Sequence, residues 1–330
     1  MDKKRLKVGI IGCGGIANGK HMPSIKAVNM ADMVAFCDLI EERAVKAAKE
    51  YGVPGAKVYT DYKELLADPE IDVVHVCTPN RSHADISIDA MHAGKHVMCE
   101  KPMAKSAADA RRMVAAAKET GKKLTIGYQH RHKAEAQYVK KVIERGDLGD
   151  MYFAEAFAVR RRGTPNWGVF LNEYEQGGGP LIDIGTHSLD LTLYLLNNYK
   201  PRMAVGTTYK KLTNPDQANP WGPWDEKQHT MEDAAFGFIV MENGATIILK
   251  ATWALNTCEP VPEGSVMICG SKAGAQIKNG VTINKDEFGR LVDIHPDMKA
   301  GGVAFYDGVK EPPPITEQRR WLDAIENDTD

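Results

Sequence analysis

A chain of 330 residues is long enough for two domains with separate cores. Its 43% hydrophobic and 26% charged content is ordinary for a globular protein, and a formal net charge of −2 supplies no field for nucleic acid or an anionic membrane. No stretch approaches the ~18 or more apolar residues of a membrane span, and the basic start Met1-Asp2-Lys3-Lys4-Arg5 lacks the apolar core and cleavage site of a signal peptide.

The first predicted strand, from Val8, breaks into Gly12-Cys13-Gly14-Gly15-Ile16-Ala17 and opens a helix. Gly12, Gly14 and Ala17 fit the G-x-G-x-x-G/A fingerprint: a tight turn, close backbone approach to a pyrophosphate, and a small residue where helix meets strand. The free N–H groups at that helix end suit phosphate. A second strand, Asp32 to Asp38, stops on a carboxylate ~20 residues beyond the fingerprint, where such folds bind the adenosine ribose. Asp38 would accept from both ribose hydroxyls and repel a 2′-phosphate, so NAD is expected over NADP. The competing role for Asp38 is that of N-cap to a helix over Glu41–Tyr51.

Strand and helix patterns then alternate to Gly127, as in a parallel sheet covered on both faces. Val73 to Cys77 is a β-branched strand ending in Thr78-Pro79-Asn80, with Ser82 placed to cap the next helix. Val97 to Glu100 is a strand ending in Lys101-Pro102, and a helix from Ala107 to Glu119 leads to a strand over Leu124–Gly127. Past Tyr128 the texture changes to one helix, Glu135 to Arg145, and alternating strands at Met151–Arg161, Met203–Leu212, Ala234–Met241, Ala245–Trp253 and Ser265–Cys269. Glu242-Asn243-Gly244 is a hairpin signal. Trp221-Gly222-Pro223-Trp224 and Glu311 to Pro314 read as loops. The expected architecture is an α/β Rossmann domain over 1–128 plus an α+β domain with an open-faced, mainly antiparallel sheet over 129–330.

The glycine loop Gly177-Gly178-Gly179 runs through Pro180 into a helical pattern with Asp183 and His187 at i and i+4. A histidine titrates near cellular pH and a carboxylate beside it fixes the ring, which suits alcohol oxidation; the alternative is a hydrogen-bonded pair on a helix surface. Six cysteines without C-x-x-C spacing point to reduced packing thiols, a cytoplasmic protein and no metal site.

Taken together, the glycine loop with Asp38, Thr78-Pro79-Asn80 with His83, Glu100-Lys101-Pro102, Gly127-Tyr128, and Gly178-Gly179 through Asp183 and His187 resemble the glucose-fructose oxidoreductase/inositol dehydrogenase/rhizopine catabolism (Gfo/Idh/MocA) oxidoreductase family, over about Leu6 to Cys269. The resemblance implies an NAD(P)-dependent dehydrogenase acting on a sugar, glycoside, inositol or other polyol. It implies Lys101, Asp183 and His187 as the catalytic set, and dimers or tetramers. The expected cofactor set is Gly12, Gly14, Gly15, Ile16, Asp38, Thr78, Pro79, Asn80, His83, Glu100, Lys101 and Gln129. The expected substrate set is Lys101, Tyr128, Arg161, Trp167, Asp183 and His187, with His229, Trp253 and Asn256 as further donors or flat faces for a sugar ring. Lys101 would hydrogen-bond the reacting hydroxyl and His187 would take its proton.

Two features depart from the family pattern. Gln129-His130-Arg131-His132 stands where many members carry an Asn and then an Arg pair, and the chain stops soon after Trp321-Leu322-Asp323-Ala324-Ile325, either naturally or by truncation. Tyr128 and His130 are the alternative bases. Other readings are an enzyme that retains NAD and cleaves or epimerises a glycoside by transient oxidation, and a non-catalytic nucleotide sensor.

Overall fold

The computed structural model describes residues 5–214, 218–298 and 311–329. It forms two compact units, Met1–Gln129 with Glu311–Asp330, and His130–Lys310. The last helix therefore belongs to the first unit, which corrects the assignment of all of 129–330 to the second domain.

In the first unit, β1 (Leu6–Ile11), β2 (Ala31–Cys37), β3 (Lys57–Tyr59), β4 (Val73–Val76), β5 (His96–Cys99) and β6 (Leu124–Ile126) form one parallel sheet in the order β3-β2-β1-β4-β5-β6. All four residues of β4 are buried, as expected of a central parallel strand with both faces covered. The order reverses between β1 and β4, and such a switch point opens a crevice at the strands' carboxyl ends. Gly12 lies there with φ +91°, and a Cβ on it would meet the Cys77 carbonyl oxygen at 2.7 Å, so glycine is required. Burial pushes the Cys13 and Cys37 thiols in this core up to about 12, leaving them unreactive.

Helices α1 (Met22–Val28), α2 (Glu41–Tyr51), α3 (Tyr62–Leu66), α4 (His83–His92) and α5 (Ala107–Thr120) flank this sheet. Ser82 precedes α4 without capping it: its hydroxyl donates to Thr78 Oγ1 at 2.7 Å and so ties the turn after β4. The final helix, Pro313–Glu326, starts inside the segment expected as a Pro-rich loop, because a proline fits the first helical turn. It packs on α1, placing Trp321 and Leu322 in the core shared by Val8, Ile10 and Phe36.

The second unit opens with α6 (Ala134–Glu144), followed by β7 (Met151–Val159), α7 (Glu173–Gln176), α8 (Thr186–Leu196) and β8 (Pro201–Tyr209). Then come β9 (Ala234–Met241), β10 (Thr246–Thr252), β11 (Val261–Gly270), β12 (Ala273–Ile277), β13 (Val281–Glu287) and β14 (Arg290–Ile294). Their sheet runs β14-β13-β12-β11-β7-β10-β9-β8. It is antiparallel apart from the β7–β10 pair. One face packs α6 and α8 over a core that includes Ala154, Leu191, Ile247 and Ile268. The other face is open, and β8 is exposed along its whole length.

Candidate functional site

Each unit carries its own group of candidate site residues. In the first, nothing lies within 4 Å of where a Cβ on Gly14 or Gly15 would stand, so the backbone after β1 is bare where a pyrophosphate needs it. The loop feeds a π-helical turn, Ala17–His21, of a kind often found at functional sites. Asp38 Oδ2 accepts from Cys13 N at 2.8 Å and Oδ1 from Ile40 N at 2.9 Å. Asp38 thus ties the glycine loop to the end of β2. It is not the cap of α2, whose N-cap position is Ile40. The residues present fit a dinucleotide: a bare glycine cradle with a carboxylate at the end of β2.

Asp38→Ala is expected to narrow the preference for NAD over NADP, because the charge that repels a 2′-phosphate is gone. Paired titrations of both dinucleotides against the native and variant proteins measure it. Equal affinities in the native protein would remove Asp38 from this role.

Glu100 is buried within an ionic cluster. Its Oε1 accepts from Lys20 Nζ at 2.8 Å and lies 2.8 Å from His21 Nε2, while Oε2 accepts from Lys101 N at 3.0 Å. Lys20 also pairs with Glu317 Oε2 at 3.1 Å, which brings the last helix into the cluster. With His21 Nε2–H on the carboxylate, Nδ1 accepts from His75 Nδ1–H at 3.0 Å, and burial keeps both rings neutral by lowering their pKa. His83 faces two backbone carbonyls, Thr78 O and Pro102 O, each at 2.8 Å, and braces the turn after β4 to the turn after β5. The Lys101–Pro102 peptide is cis. Glu100 and His83, expected as cofactor contacts, therefore hold in place the turns that carry Thr78, Pro79 and Lys101.

In the second unit, Asp183 lies in a π-helical turn, Leu181–Gly185, that continues into α8 with His187 in its first turn. The sequence pattern implied an unbroken α-helix here. Asp183 Oδ2 accepts from Trp253 Nε1 at 2.9 Å. Trp253 is 1% exposed, so it orients Asp183 and offers no face to a sugar. His229 is equally buried, stacked at an angle between Trp224 and Trp253, and burial pushes its pKa down to about 4. Asn256 Oδ1 accepts from Arg162 at 2.8 Å. Arg161 and Trp167 are exposed residues of the loop after β7, Trp167 edge-on to Trp221 at 4.9 Å between centroids. Ile16 is exposed beside the glycine loop, and Gln129 starts a short 3₁₀ turn just after Tyr128.

The residue that sequence reasoning missed is Glu263. Its Oε1 lies 3.4 Å from His187 Nε2 and 3.6 Å from His130 Nε2, and its Oε2 lies 3.3 Å from the Arg160 guanidinium. The two imidazole rings are 4.9 Å apart. A bulge puts Glu263 there: pairing of β11 with β7 jumps from Val261 to Ser265, and Pro262 cannot donate to the ladder. Gly264 follows with φ +74°, and a Cβ on it would stand 2.0 Å from His130 Nδ1. Gly264 N donates to Ser188 Oγ at 3.1 Å, and that hydroxyl donates to Phe157 O, so the bulge is pinned to the helix that carries His187. Pro-Glu-Gly inside a strand pattern was the available signal.

The three ligand-capable atoms lie within 4.8 Å of one another, a donor set open to a cation or to a shared proton. Arg160 already brings a positive charge against the carboxylate. His130 Nδ1 has no acceptor among the described residues, whereas metal-bound imidazoles are held by one. The cluster suits proton handling.

Residues 6–128 match the model of the oxidoreductase family with an NAD-binding Rossmann fold, and residues 136–276 match the GFO/IDH/MocA C-terminal domain. The chain belongs to this family of NAD-binding oxidoreductases. It is 38% identical over 280 residues to D-glucoside 3-dehydrogenase of Escherichia coli strain K12, covering 84% of this chain and 78% of that one. It is 32% identical over 197 residues to inositol 2-dehydrogenase of Salmonella paratyphi B, covering 59% and 56%. The matched stretch thus spans little more than half of the inositol enzyme. The fold is that of levoglucosan dehydrogenase in its complex with NADH, with a TM-score of 0.79 at 21% identity over 99% of this chain and 91% of that one.

Proposed function

We propose that the protein oxidises a secondary hydroxyl of a glycoside, free sugar or inositol and passes the hydride to NAD. The observation that carries this reading is the surroundings of His187: a buried imidazole beside a carboxylate and a second imidazole, on the helix that holds Asp183. NAD, when bound, supplies the hydride acceptor. His187 takes the hydroxyl proton, and Asp183, fixed by Trp253, orients the substrate. Lys101, on a turn fixed by Glu100 and His83, steadies alkoxide character with its ammonium. Likeness to a D-glucoside 3-dehydrogenase supports a glycoside as substrate.

A panel of glycosides, sugars and inositols followed by NADH absorbance tests this. Net NADH with at least one member is expected. Consumption of a glycoside without net NADH would show instead that the cofactor is retained and recycled.

Self-association through the open face of the second sheet belongs to the same reading. Tyr152, Met203, Val205, Tyr209 and Phe238 are exposed in the sheet, and a second subunit is a common cover for such a surface. A dimer or tetramer is expected by light scattering; a monomer at micromolar concentration would overturn it. Six free cysteines, four of them buried, support a reducing, cytoplasmic location. No helix among the described residues is long and apolar enough to cross a membrane.

A further inference from the structure

We propose that Glu263 is the proton-relay residue of this enzyme: it receives from His187 the proton that each oxidation releases and delivers it to solvent. This rests on His187 being the base. Alcohol oxidation by NAD yields a ketone, NADH and one proton, so a base that accepts a proton must lose it before the next turnover. The His187 side chain is 4% exposed and the His130 side chain 7%, so neither ring hands a proton to bulk water with ease. Glu263 is the third member of the cluster and its side chain is 28% exposed.

The proton path balances. The substrate O–H breaks and an N–H forms on His187 Nε2 as hydride leaves the carbon. That N–H then breaks and an O–H forms on Glu263 Oε1, leaving a neutral imidazole and a carboxylic acid, and the acid loses its proton to water. The 3.4 Å separation is long for a transfer but lies in the range that tightens when a charged donor forms, since catalytic contacts are often loose without substrate. His130, 3.6 Å from the same oxygen, is a second station for the proton.

The surrounding charges set the direction. Arg160 lies 3.3 Å from Oε2, and Lys133, whose own pKa burial lowers, also feels the Glu263 charge. Both put positive charge beside the group that passes the proton on to water. On the His187 helix itself, Asp183 accepts from Trp253 and Asp190 pairs with Arg131, while Glu263 Oε1 stands 3.4 Å from the ring. The Gly264 to Ser188 hydrogen bond holds strand and helix in register, so donor and acceptor stay at this spacing.

Stopped-flow turnover in weakly buffered solution, with the fastest panel substrate, compares NADH formation with proton release to a pH indicator. In the native enzyme the two should coincide. In Glu263→Gln turnover should slow and proton release should lag NADH formation by roughly tenfold or more. Added imidazole or acetate should close the lag, and Glu263→Asp should restore part of the rate. Coincident proton release in Glu263→Gln, or a slowed burst that ignores added buffer, would overturn the relay; the latter marks Glu263 as structural. A His187→Ala protein that keeps its burst would instead remove the base, so the two failures read differently.

Discussion

His187→Ala is expected to lower turnover by roughly 10²–10⁴-fold, the usual range for removing a general base, with NAD affinity nearly unchanged. The asymmetry follows from the chain's division: the glycine fingerprint and Asp38 belong to the first unit, and His187 to the second. The acidic limb of the rate profile, where a base is lost to protonation, should vanish or shift in the variant. Lys101→Ala should also slow the reaction, and it should weaken substrate binding as well, because a fixed charge acts in ground and transition states alike. Steady-state kinetics across pH with an oxidised panel substrate, together with an NAD titration, separates these outcomes. Unchanged turnover with an unchanged profile would move the base to Tyr128 or His130. A comparable loss of NAD binding would show that this helix serves the cofactor.

Glu100→Gln should cost about 3–5 kcal/mol of stability, the range for breaking a buried ion pair. Lys20, 7% exposed, would lose its nearer counter-charge, and the amide would turn a donor toward Lys101 N, itself a donor. The pH dependence should change as well. Burial lifts the Glu317 carboxyl from its ordinary 4.5 to about 7; Lys20 opposes the rise and the Glu100 charge adds to it. A carboxyl raised on folding stabilises fully below its unfolded value, and that contribution fades as pH climbs through the folded one. The native protein should therefore lose on the order of 3 kcal/mol from this group between about pH 4.5 and 7. Glu100 itself is held well below the usual carboxylate range by Lys20 and His21 against the cost of burial, so its contribution is lost only in acid. In Glu100→Gln, Glu317 becomes the remaining anion on Lys20 and its part of the decline should shrink. Urea unfolding at pH 5 and pH 8 for both proteins measures size and slope. Equal stability with equal slopes would mean the cluster is not coupled as described.

What the sequence made legible was local. Gly12-x-Gly14 after a β-branched run, the carboxylate at the end of the second strand, and Asp183 and His187 four residues apart are short-range patterns, and short-range physics sets them. Long-range partners left no such mark. Trp253 is 70 residues from the Asp183 it orients, and Glu263 is 76 residues from the His187 it faces. Trp253 looked like a sugar platform because aromatic residues in a sheet domain often are; its burial shows otherwise. Strands β12, β13 and β14 were not expected: Ala273–Ile277 is short and built largely of small residues, and runs such as Val281–Glu287 are largely polar and partly exposed, so period-two alternation is faint. For Glu100 and His83 the protein-side partners, Lys20, His21 and two backbone carbonyls, were not legible, since a motif at a strand end does not say which atoms it turns toward.

The last helix gives the first unit a history that its finished form conceals. Trp321 and Leu322 share a core with Val8 and Ile10, and Lys20 is held between Glu100 and Glu317. A ribosome delivers the six-stranded sheet early, yet the helix that covers part of it emerges only after the entire second unit. Until then the α1 side of that core is uncovered, and a lysine and a glutamate wait for their third member. The second unit, continuous in sequence, is free to mature meanwhile, so the unit made first is the one finished last. Contacts of this sequence separation slow folding and prolong exposure of apolar surface. Removing residues from 311 onward is a change to the nucleotide-binding unit, although those residues lie at the far end of the chain.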